Sequence, residues 1–238
     1  MDEKARREFL RMVASYQKRG DPTGWCDNVY RAANGDFRAV FWADRAPNPY
    51  LISWLEEHPV SGAGPQAVTI GCGVGDDAEA LAAHGYQVTA FDISVAAIDL
   101  CRNRYPDSRV EYVVADLFDH PLAWTRRFDL VFECNTIQIL PGEHRLRALN
   151  AIAAMVTPGG VALVSCRSRN AGEKEGEFPL PLDRTEIDGF VRAGLRQVAF
   201  EAYDDEQDPP VPHFFACYSR PIQGALESSS AKSASDDR

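Results

Sequence analysis

Short apolar segments alternate with segments of helical spacing from residue 66 onward. The strand-like segments are short and mainly apolar, which is typical of strands buried on both faces of a parallel sheet. They cover residues 67–70, 87–92, 110–115, 128–133 and 160–166. The helical segments cover residues 77–84, 94–105, 143–155 and 184–193. The pattern therefore predicts an α/β fold, with helices on both faces of a mainly parallel sheet.

Two further apolar runs, at residues 195–203 and 213–218, are separated by a turn-rich loop without a helix. Strands joined in this way pair as an antiparallel hairpin. Five acidic side chains fall within residues 201–208. In one interpretation they attract a cationic or amine ligand, and in the other they belong to a solvated loop that keeps the protein soluble.

The first 65 residues show a different pattern. Apolar side chains at helical spacing predict a helix over residues 2–18, and a second helix is predicted at residues 51–58. Between them, residues 20–49 are rich in Gly, Pro and Asn and are expected to be irregular. This stretch contains Trp25, Tyr30 and Trp42, and such large aromatic side chains must pack against the core or against a ligand.

Composition narrows the class of protein. The chain has 238 residues, of which 45% are apolar and 25% charged, with a formal charge of −10. We expect no membrane span, because no run of 18 apolar residues occurs. We also expect no nucleic-acid partner, because the sequence contains no stripe of basic residues. The six cysteines are widely spaced, without metal-ligand spacing. They predict no metal site and a reducing, cytoplasmic location.

A glycine-rich loop follows the first predicted strand and leads into a helix, where an open α/β sheet binds its nucleotide. Its glycines are Gly71, Gly73 and Gly75. A dinucleotide fingerprint requires Gly or Ala at position 76, but Asp76 and Asp77 stand there, and no phosphate-binding Lys-Ser/Thr pair follows. Two carboxylates at a helix N-terminus would repel a pyrophosphate. The loop therefore favours an adenosine-bearing cofactor without phosphate, such as S-adenosylmethionine, and disfavours a nicotinamide cofactor.

Two more carboxylates stand at predicted strand ends. Asp92 ends the second strand, 21 residues after Gly71, where it can accept hydrogen bonds from ribose hydroxyls. Asp116 ends the third strand, where it can accept from the adenine amino group while the N–H of Leu117 donates to the ring. The alternative is that both aspartates only cap the helices that follow.

These motifs resemble those of the class I S-adenosylmethionine-dependent methyltransferases. The resemblance covers about residues 66–220 and rests on G-C-G-V-G at 71–75, F-D-I-S at 91–94, A-D-L at 115–117 and P-G-G at 158–160. It implies a Rossmann-like, seven-stranded sheet whose last two strands are the predicted hairpin. It also implies the methyl donor S-adenosylmethionine and the product S-adenosylhomocysteine.

Within that class, residues 68–94 are similar to the thiopurine, thiol and halide methyltransferase branch, which also lacks the acidic residue found in most members where this chain has Thr69. The branch has an N-terminal segment that covers the cofactor, and Trp25, Tyr30 and Trp42 resemble parts of it. Glu133-Cys134 replaces the Asp-Arg pair usual in the branch, so thiopurine or halide specificity is not carried over.

The predicted division is a cover segment of residues 1–65, a cofactor-binding domain of residues 66–221 and a disordered tail of residues 222–238. The residues expected at the cofactor are Trp25, Trp42, Gly71, Gly73, Gly75, Asp77, Asp92, Ile93, Asp116, Leu117 and Cys134. Those expected at the substrate are Tyr30, Asn135, Thr136, Gln138 and Arg167.

The expected reaction is in-line methyl transfer to an S, N or O nucleophile of a small molecule. Alignment and exclusion of water are its main requirements, so a catalytic triad is not needed. His144 could serve as a base, or could be a helix residue without a catalytic role. Two alternatives remain: a peptide or protein methyltransferase, and a cofactor-binding regulator without catalytic activity.

Overall fold

Seven β-strands form a single sheet in the computed structural model, which describes residues 2–62 and 64–222. The strands are β1 (Gln66–Ile70), β2 (Gln87–Asp92), β3 (Glu111–Val114), β4 (Phe128–Cys134), β5 (Val156–Arg167), β6 (Arg196–Asp204) and β7 (Pro212–Ser219). Their order across the sheet is β3-β2-β1-β4-β5-β7-β6.

The first five strands are parallel, and β7 lies antiparallel between β5 and β6. The prediction of a mainly parallel, seven-stranded sheet with a C-terminal antiparallel hairpin is confirmed. The direction of winding reverses between β1 and β4, because the chain builds outward from β1 to β3 and then returns to add β4 on the other side. An open α/β sheet has its ligand crevice at such a switch point, beyond the carboxyl ends of the strands.

Helices cover both faces of the sheet. They are α1 (Glu3–Lys18), α2 (Cys26–Ala32), α3 (Pro49–Glu57), α4 (Asp76–Ala83), α5 (Val95–Arg104), α6 (Gly142–Met155), α7 (Arg184–Ile187) and α8 (Gly189–Arg192). Successive strand residues point to opposite faces. Ala67 accordingly packs with apolar side chains of α3, α4 and α5, whereas Val68 belongs to the core under α6, α7 and α8.

Two predicted segments differ from the structure. Residues 20–49 are not wholly irregular, because α2 lies within them, held by Asp27, whose Oδ1 accepts hydrogen bonds from Ser94 Oγ (2.8 Å) and Ala96 N (3.1 Å). The helix predicted at residues 184–193 is divided into α7 and α8, which meet at Asp188. Gly189, a residue of low helix propensity, directly follows that break.

The prediction of a disordered tail concerns residues 223–238 almost entirely, and these lie outside the described residues. Within residues 2–62 and 64–222, none of the helices combines the length and apolar character that a membrane crossing requires.

Candidate functional site

A cavity of about 1800 Å³ opens at the carboxyl ends of the parallel strands. Its walls come from the glycine loop, the ends of β2, β4 and β5, the N-terminal segment and the loop between β6 and β7. Small-molecule sites usually have roughly 300–1,000 Å³. This cavity is therefore large enough for two ligands side by side.

The glycine loop between β1 and α4 adopts a conformation that requires glycine. Gly71, Gly73 and Gly75 have φ of +60°, +58° and +92°, a region that other residues rarely occupy. A Cβ on Gly71 would lie 2.4 Å from Thr136 Oγ1, and one on Gly75 would lie 2.7 Å from Tyr112 Oη. The loop thus passes close to its neighbours on one side and exposes backbone to the cavity on the other.

Asp92 lies under this loop at the end of β2, with 6% of its surface exposed. Its Oδ2 accepts a hydrogen bond from Gly73 N (3.1 Å) and its Oδ1 from Ser94 N (2.9 Å). Burial raises the pKa of Asp92 to about 6, although the two amide donors oppose the shift. Each carboxylate oxygen can accept a second hydrogen bond, and Asp92 lines the cavity. The side chain can therefore hold a pair of ligand hydroxyls.

The two aspartates at the start of α4 differ in role. Asp76 forms an ion pair with Arg104 (2.7 Å) and accepts a hydrogen bond from Tyr105 Oη (3.0 Å), so its charge is compensated. The expectation that both carboxylates repel a phosphate is corrected for Asp76. Asp77 accepts a hydrogen bond from Asn48 N (2.7 Å), and burial raises its pKa to about 6.

Asp116 and Ile93 both line the cavity. Asp116 Oδ1 accepts a hydrogen bond from Phe118 N (2.8 Å) and caps the short 3₁₀ helix Leu117–Asp119, the capping role left open by the sequence. Its Oδ2 has no hydrogen-bond partner in the described part of the chain and can accept one from a ligand. Ile93 is an exposed apolar side chain beside Asp92, suited to contact a flat ring.

The aromatic residues of the N-terminal segment form one cluster beside the cavity. Trp25 is buried, and its Nε1 donates to Pro22 O (2.8 Å), so its polar atom is satisfied internally. Trp42 packs edge to face on Trp25 and on Tyr30, and its Nε1 donates to Tyr30 Oη (3.3 Å). Tyr30, predicted at the substrate, lies against the glycine loop. A Cβ added to Gly73 would be only 3.2 Å from the Tyr30 hydroxyl.

The last residue of β4 and the residues that follow it line the cavity. Cys134 and Asn135 line the cavity, and Asn135 has φ of +61° with a buried Oδ1 that lacks a hydrogen-bond partner. Thr136 Oγ1 donates to Ile70 O (3.1 Å). Gln138, predicted at the substrate, is only 5% exposed, and its Oε1 accepts the N–H of Arg167 (2.7 Å). Its side-chain carbonyl therefore fixes the end of β5, while Gln138 also lines the cavity, and its contact with the substrate stays a prediction.

Arg167 and His213 stand opposite each other on β5 and β7 and both line the cavity. Within the described residues, no carboxylate forms an ion pair with the Arg167 guanidinium. His213 Nδ1 lies 2.8 Å from Val211 O, which can only accept, so Nδ1 carries a proton. Asp205 Oδ2 lies 3.9 Å from this Nδ1. The Arg167 guanidinium at the cavity wall is suited to bind an anionic group.

His213 and the neighbouring Asp44 were missed by sequence reasoning. Asp44 also lines the cavity, and its pKa is raised by partial removal from water and by the charge of Asp205. The candidate base His144 is not part of the cavity wall and packs 6.1 Å from the ring of Phe118. The acidic loop does reach the cavity, through Asp204, Asp205, Glu206 and Asp208.

Comparison with known proteins agrees with this architecture. Residues 67–160 match the model of a family described as a methyltransferase domain. The chain is 31% identical over 155 residues to the ubiquinone biosynthesis O-methyltransferase of Stutzerimonas stutzeri, covering 60% of this chain and 66% of that protein. It is 30% identical over 148 residues to the cypemycin N-terminal methyltransferase of a Streptomyces species, covering 58% and 59%. The chain thus spans less than two thirds of the length of these curated relatives.

A solved structure shows the same fold. The 1,6-didemethyltoxoflavin-N1-methyltransferase of Burkholderia thailandensis, solved with 1,6-didemethyltoxoflavin and S-adenosylhomocysteine bound, matches with a TM-score of 0.64. The match covers 82% of this chain and 87% of that chain at 18% sequence identity.

Proposed function

We propose that this chain, which carries a class I methyltransferase domain, transfers the methyl group of S-adenosylmethionine to an S, N or O nucleophile of a small molecule. The observation that carries the proposal is Asp92, a buried carboxylate at the end of β2 with spare acceptor capacity under a loop of three positive-φ glycines. This arrangement suits a ribose whose hydroxyls donate to the carboxylate and whose remaining atoms lie along glycine backbone.

The cofactor would lie between the glycine loop and the N-terminal aromatic cluster. Asp92 would hold the ribose, Asp116 with Leu117 and Ile93 the adenine, and Cys134 with Asp77 the amino-acid end. The bound donor supplies a methyl group on a positively charged sulfur. The chain then has to align the acceptor with that methyl group and exclude water, and Trp25 and Trp42 beside the cavity support the second task.

The acceptor would occupy the remaining volume, beside Asn135, Arg167 and His213. Similarity of residues 68–94 to the thiopurine, thiol and halide branch supports a small acceptor. Glu133-Cys134 in place of the branch's Asp-Arg pair argues against thiopurine or halide itself. The two relatives are named for transfer to oxygen and to a peptide N-terminus, so the proposal retains oxygen and nitrogen beside sulfur.

Thermal-shift titration tests the cofactor. S-adenosylhomocysteine is expected to raise the melting temperature, whereas NAD is not. Asp92→Ala is expected to abolish the shift. Stabilisation by NAD alone would exclude the proposed function, and an unchanged shift in Asp92→Ala would move the site elsewhere.

Incubation with labelled methyl donor tests the acceptor. Panels of thiols, amines, phenols and carboxylates are compared with a mixture of basic peptides. Labelling of a small molecule is expected. Labelling of peptides alone would favour a peptide methyltransferase, and tight S-adenosylhomocysteine binding without any labelling would favour a cofactor-binding regulator.

A further inference from the structure

Glu133 is a buried acid in the centre of the sheet, outside the cavity lining. It lies on β4 and is 0% exposed. Its Oε1 accepts the N–H groups of Thr136 (2.6 Å) and Ile137 (2.9 Å). Its Oε2 is buried and has no hydrogen-bond partner in the described part of the chain. Burying a carboxyl group in this way costs free energy, so its contacts indicate what it stabilises.

The contacts close the turn at the end of β4. Within that turn Asn135 has φ of +61°, a conformation that persists only where its surroundings enforce it. One constraint is the hydrogen bond from Asn135 N to Ser165 O (2.9 Å), and the other is the pair of amides that Glu133 binds directly after it. Glu133 therefore holds the two residues that follow Asn135, while Ser165 O holds Asn135 itself, a positive-φ residue that lines the cavity.

The same turn supports the glycine loop. Thr136 Oγ1 donates to Ile70 O (3.1 Å), the residue directly before Gly71. Gly71 lies so close to Thr136 that a Cβ there would be 2.4 Å from Oγ1. A shift of Thr136 by a few tenths of an ångström therefore moves the first glycine of the loop, or opens a gap beneath it.

We propose that Glu133 is a positioning residue for the cofactor site, which holds the turn after β4 so that Thr136 supports the glycine loop in its binding conformation. The inference rests on the proposed function, because S-adenosylhomocysteine is the ligand whose binding reports on that loop. Glu133 does not contact the ligand and acts through Thr136.

The charge state of Glu133 gives a second signature. Burial raises its pKa to about 7, against the effect of the two amide donors. The titratable groups that face it are the Cys134 and Cys166 thiols, whose pKa values burial also raises. The charges of Arg145 on α6 and Glu186 on α7 shift the pKa of Cys166 in opposite directions, and these two residues form an ion pair with each other. The unfolded chain ionises Glu133 at its ordinary, lower pKa, so the folded state loses stability as the pH rises toward 7.

The test compares Glu133→Gln with Glu133→Ala by calorimetric titration with S-adenosylhomocysteine at pH 7.5. Gln keeps an oxygen that can accept both amides, so its Kd is expected within threefold of the wild type. Ala leaves both amides without a partner, and its Kd is expected to rise at least tenfold. The stability of Glu133→Gln, followed by urea unfolding between pH 5 and 8, should fall less with rising pH than that of the wild type.

A purely structural role would lower the stability of Glu133→Ala but leave its Kd unchanged. A folded Glu133→Ala that binds within twofold of the wild type overturns the inference. If Glu133→Ala does not fold, Thr136→Val is used instead, because it removes the hydrogen bond from Thr136 Oγ1 to Ile70 O. Wild-type affinity for S-adenosylhomocysteine in Thr136→Val also overturns the inference. Failure of the wild type to bind S-adenosylhomocysteine would instead refute the proposed function.

Discussion

Single residues at the strand ends make structural hydrogen bonds and keep acceptor capacity toward the cavity. Asp92 orders the glycine loop through Gly73 and still has acceptor capacity toward the cavity. Asp116 caps a 3₁₀ helix with one oxygen and leaves the other free. The capping and binding interpretations of such aspartates are therefore compatible, because a carboxylate has two oxygens with two lone pairs each.

The raised pKa of Asp92 predicts a pH-dependent affinity. In the proposed cofactor site, ribose hydroxyls would donate to the ionised carboxylate, so binding would favour ionisation and weaken once the carboxyl is protonated below about pH 6. Calorimetry is expected to show S-adenosylhomocysteine binding about tenfold more weakly at pH 5 than at pH 7. Asp92→Asn should bind weakly at both pH values. If the affinity of Asp92→Asn changes with pH as much as that of the wild type, the pH dependence belongs to Asp77, whose pKa is also about 6.

Gly71→Ala tests the close approach of the loop to Thr136. Its Cβ would meet Thr136 Oγ1 at 2.4 Å in a backbone of φ +60°, whereas Gly142 has φ of +50° and open space around it. Gly142→Ala thus supplies the backbone strain alone, about 1–2 kcal/mol. Urea unfolding should show a larger loss for Gly71→Ala, together with loss of the S-adenosylhomocysteine thermal shift. Equal losses and intact binding in both variants would show that the contact is not restrictive.

At the scale of elements, the sheet could be predicted because its signal is local. Residues 67–70 and 128–133 are short, mainly apolar runs with no competing helical period. Helix α2 was missed because the residue before it, Trp25, makes no side-chain capping hydrogen bond and the helix is only seven residues long. Its stability comes from the Asp27 contacts with α5, which are 67 and 69 positions away in sequence.

The candidate site likewise contains residues that could be predicted from the sequence and residues that could not. The glycine loop and Asp92 could be predicted, since they follow their strands directly in sequence. His213 could not, because antiparallel pairing of β5 with β7 brings it beside Arg167 from 46 positions away. The roles of Gln138 and Glu133 were equally out of reach, since they depend on which backbone amides the folded chain leaves within hydrogen-bond distance.

Asp27→Ala is expected to loosen α2 from α5. It removes two hydrogen bonds to the start of α5, which typically contribute about 1 kcal/mol each. Because α2 carries Tyr30 against Gly73, S-adenosylhomocysteine affinity should fall as well. Limited proteolysis should show faster cleavage before residue 48. Asp99→Ala on the same helix α5 is the matched control, since Asp99 is exposed and should be near neutral.

At the scale of the whole molecule, two segments from distant parts of the chain meet over the cavity. One is the N-terminal segment with α1 and α2, and the other is the loop between β5 and α7. Their contact is aromatic: the Phe178 ring packs 5.7 Å from Phe9 and 5.2 Å from Trp25. An exposed ion pair between Arg6 and Glu177 lies beside it and contributes little. Apolar packing at Phe178 therefore contributes most to the contact that closes these two segments over the cavity.

Phe178→Ala is expected to open the closure without disturbing the sheet, because Phe178 lies outside every strand and helix. Stopped-flow measurement should show faster release of S-adenosylhomocysteine, and amide exchange should accelerate in residues 2–32. Phe41→Ala is the matched control: Phe41 packs on Phe9 (5.0 Å) and Trp42 (4.7 Å), all within the N-terminal segment. It should affect release much less. If both variants release the ligand at the wild-type rate, the aromatic contact does not retain the cofactor, and retention depends on the loop and Asp92 alone.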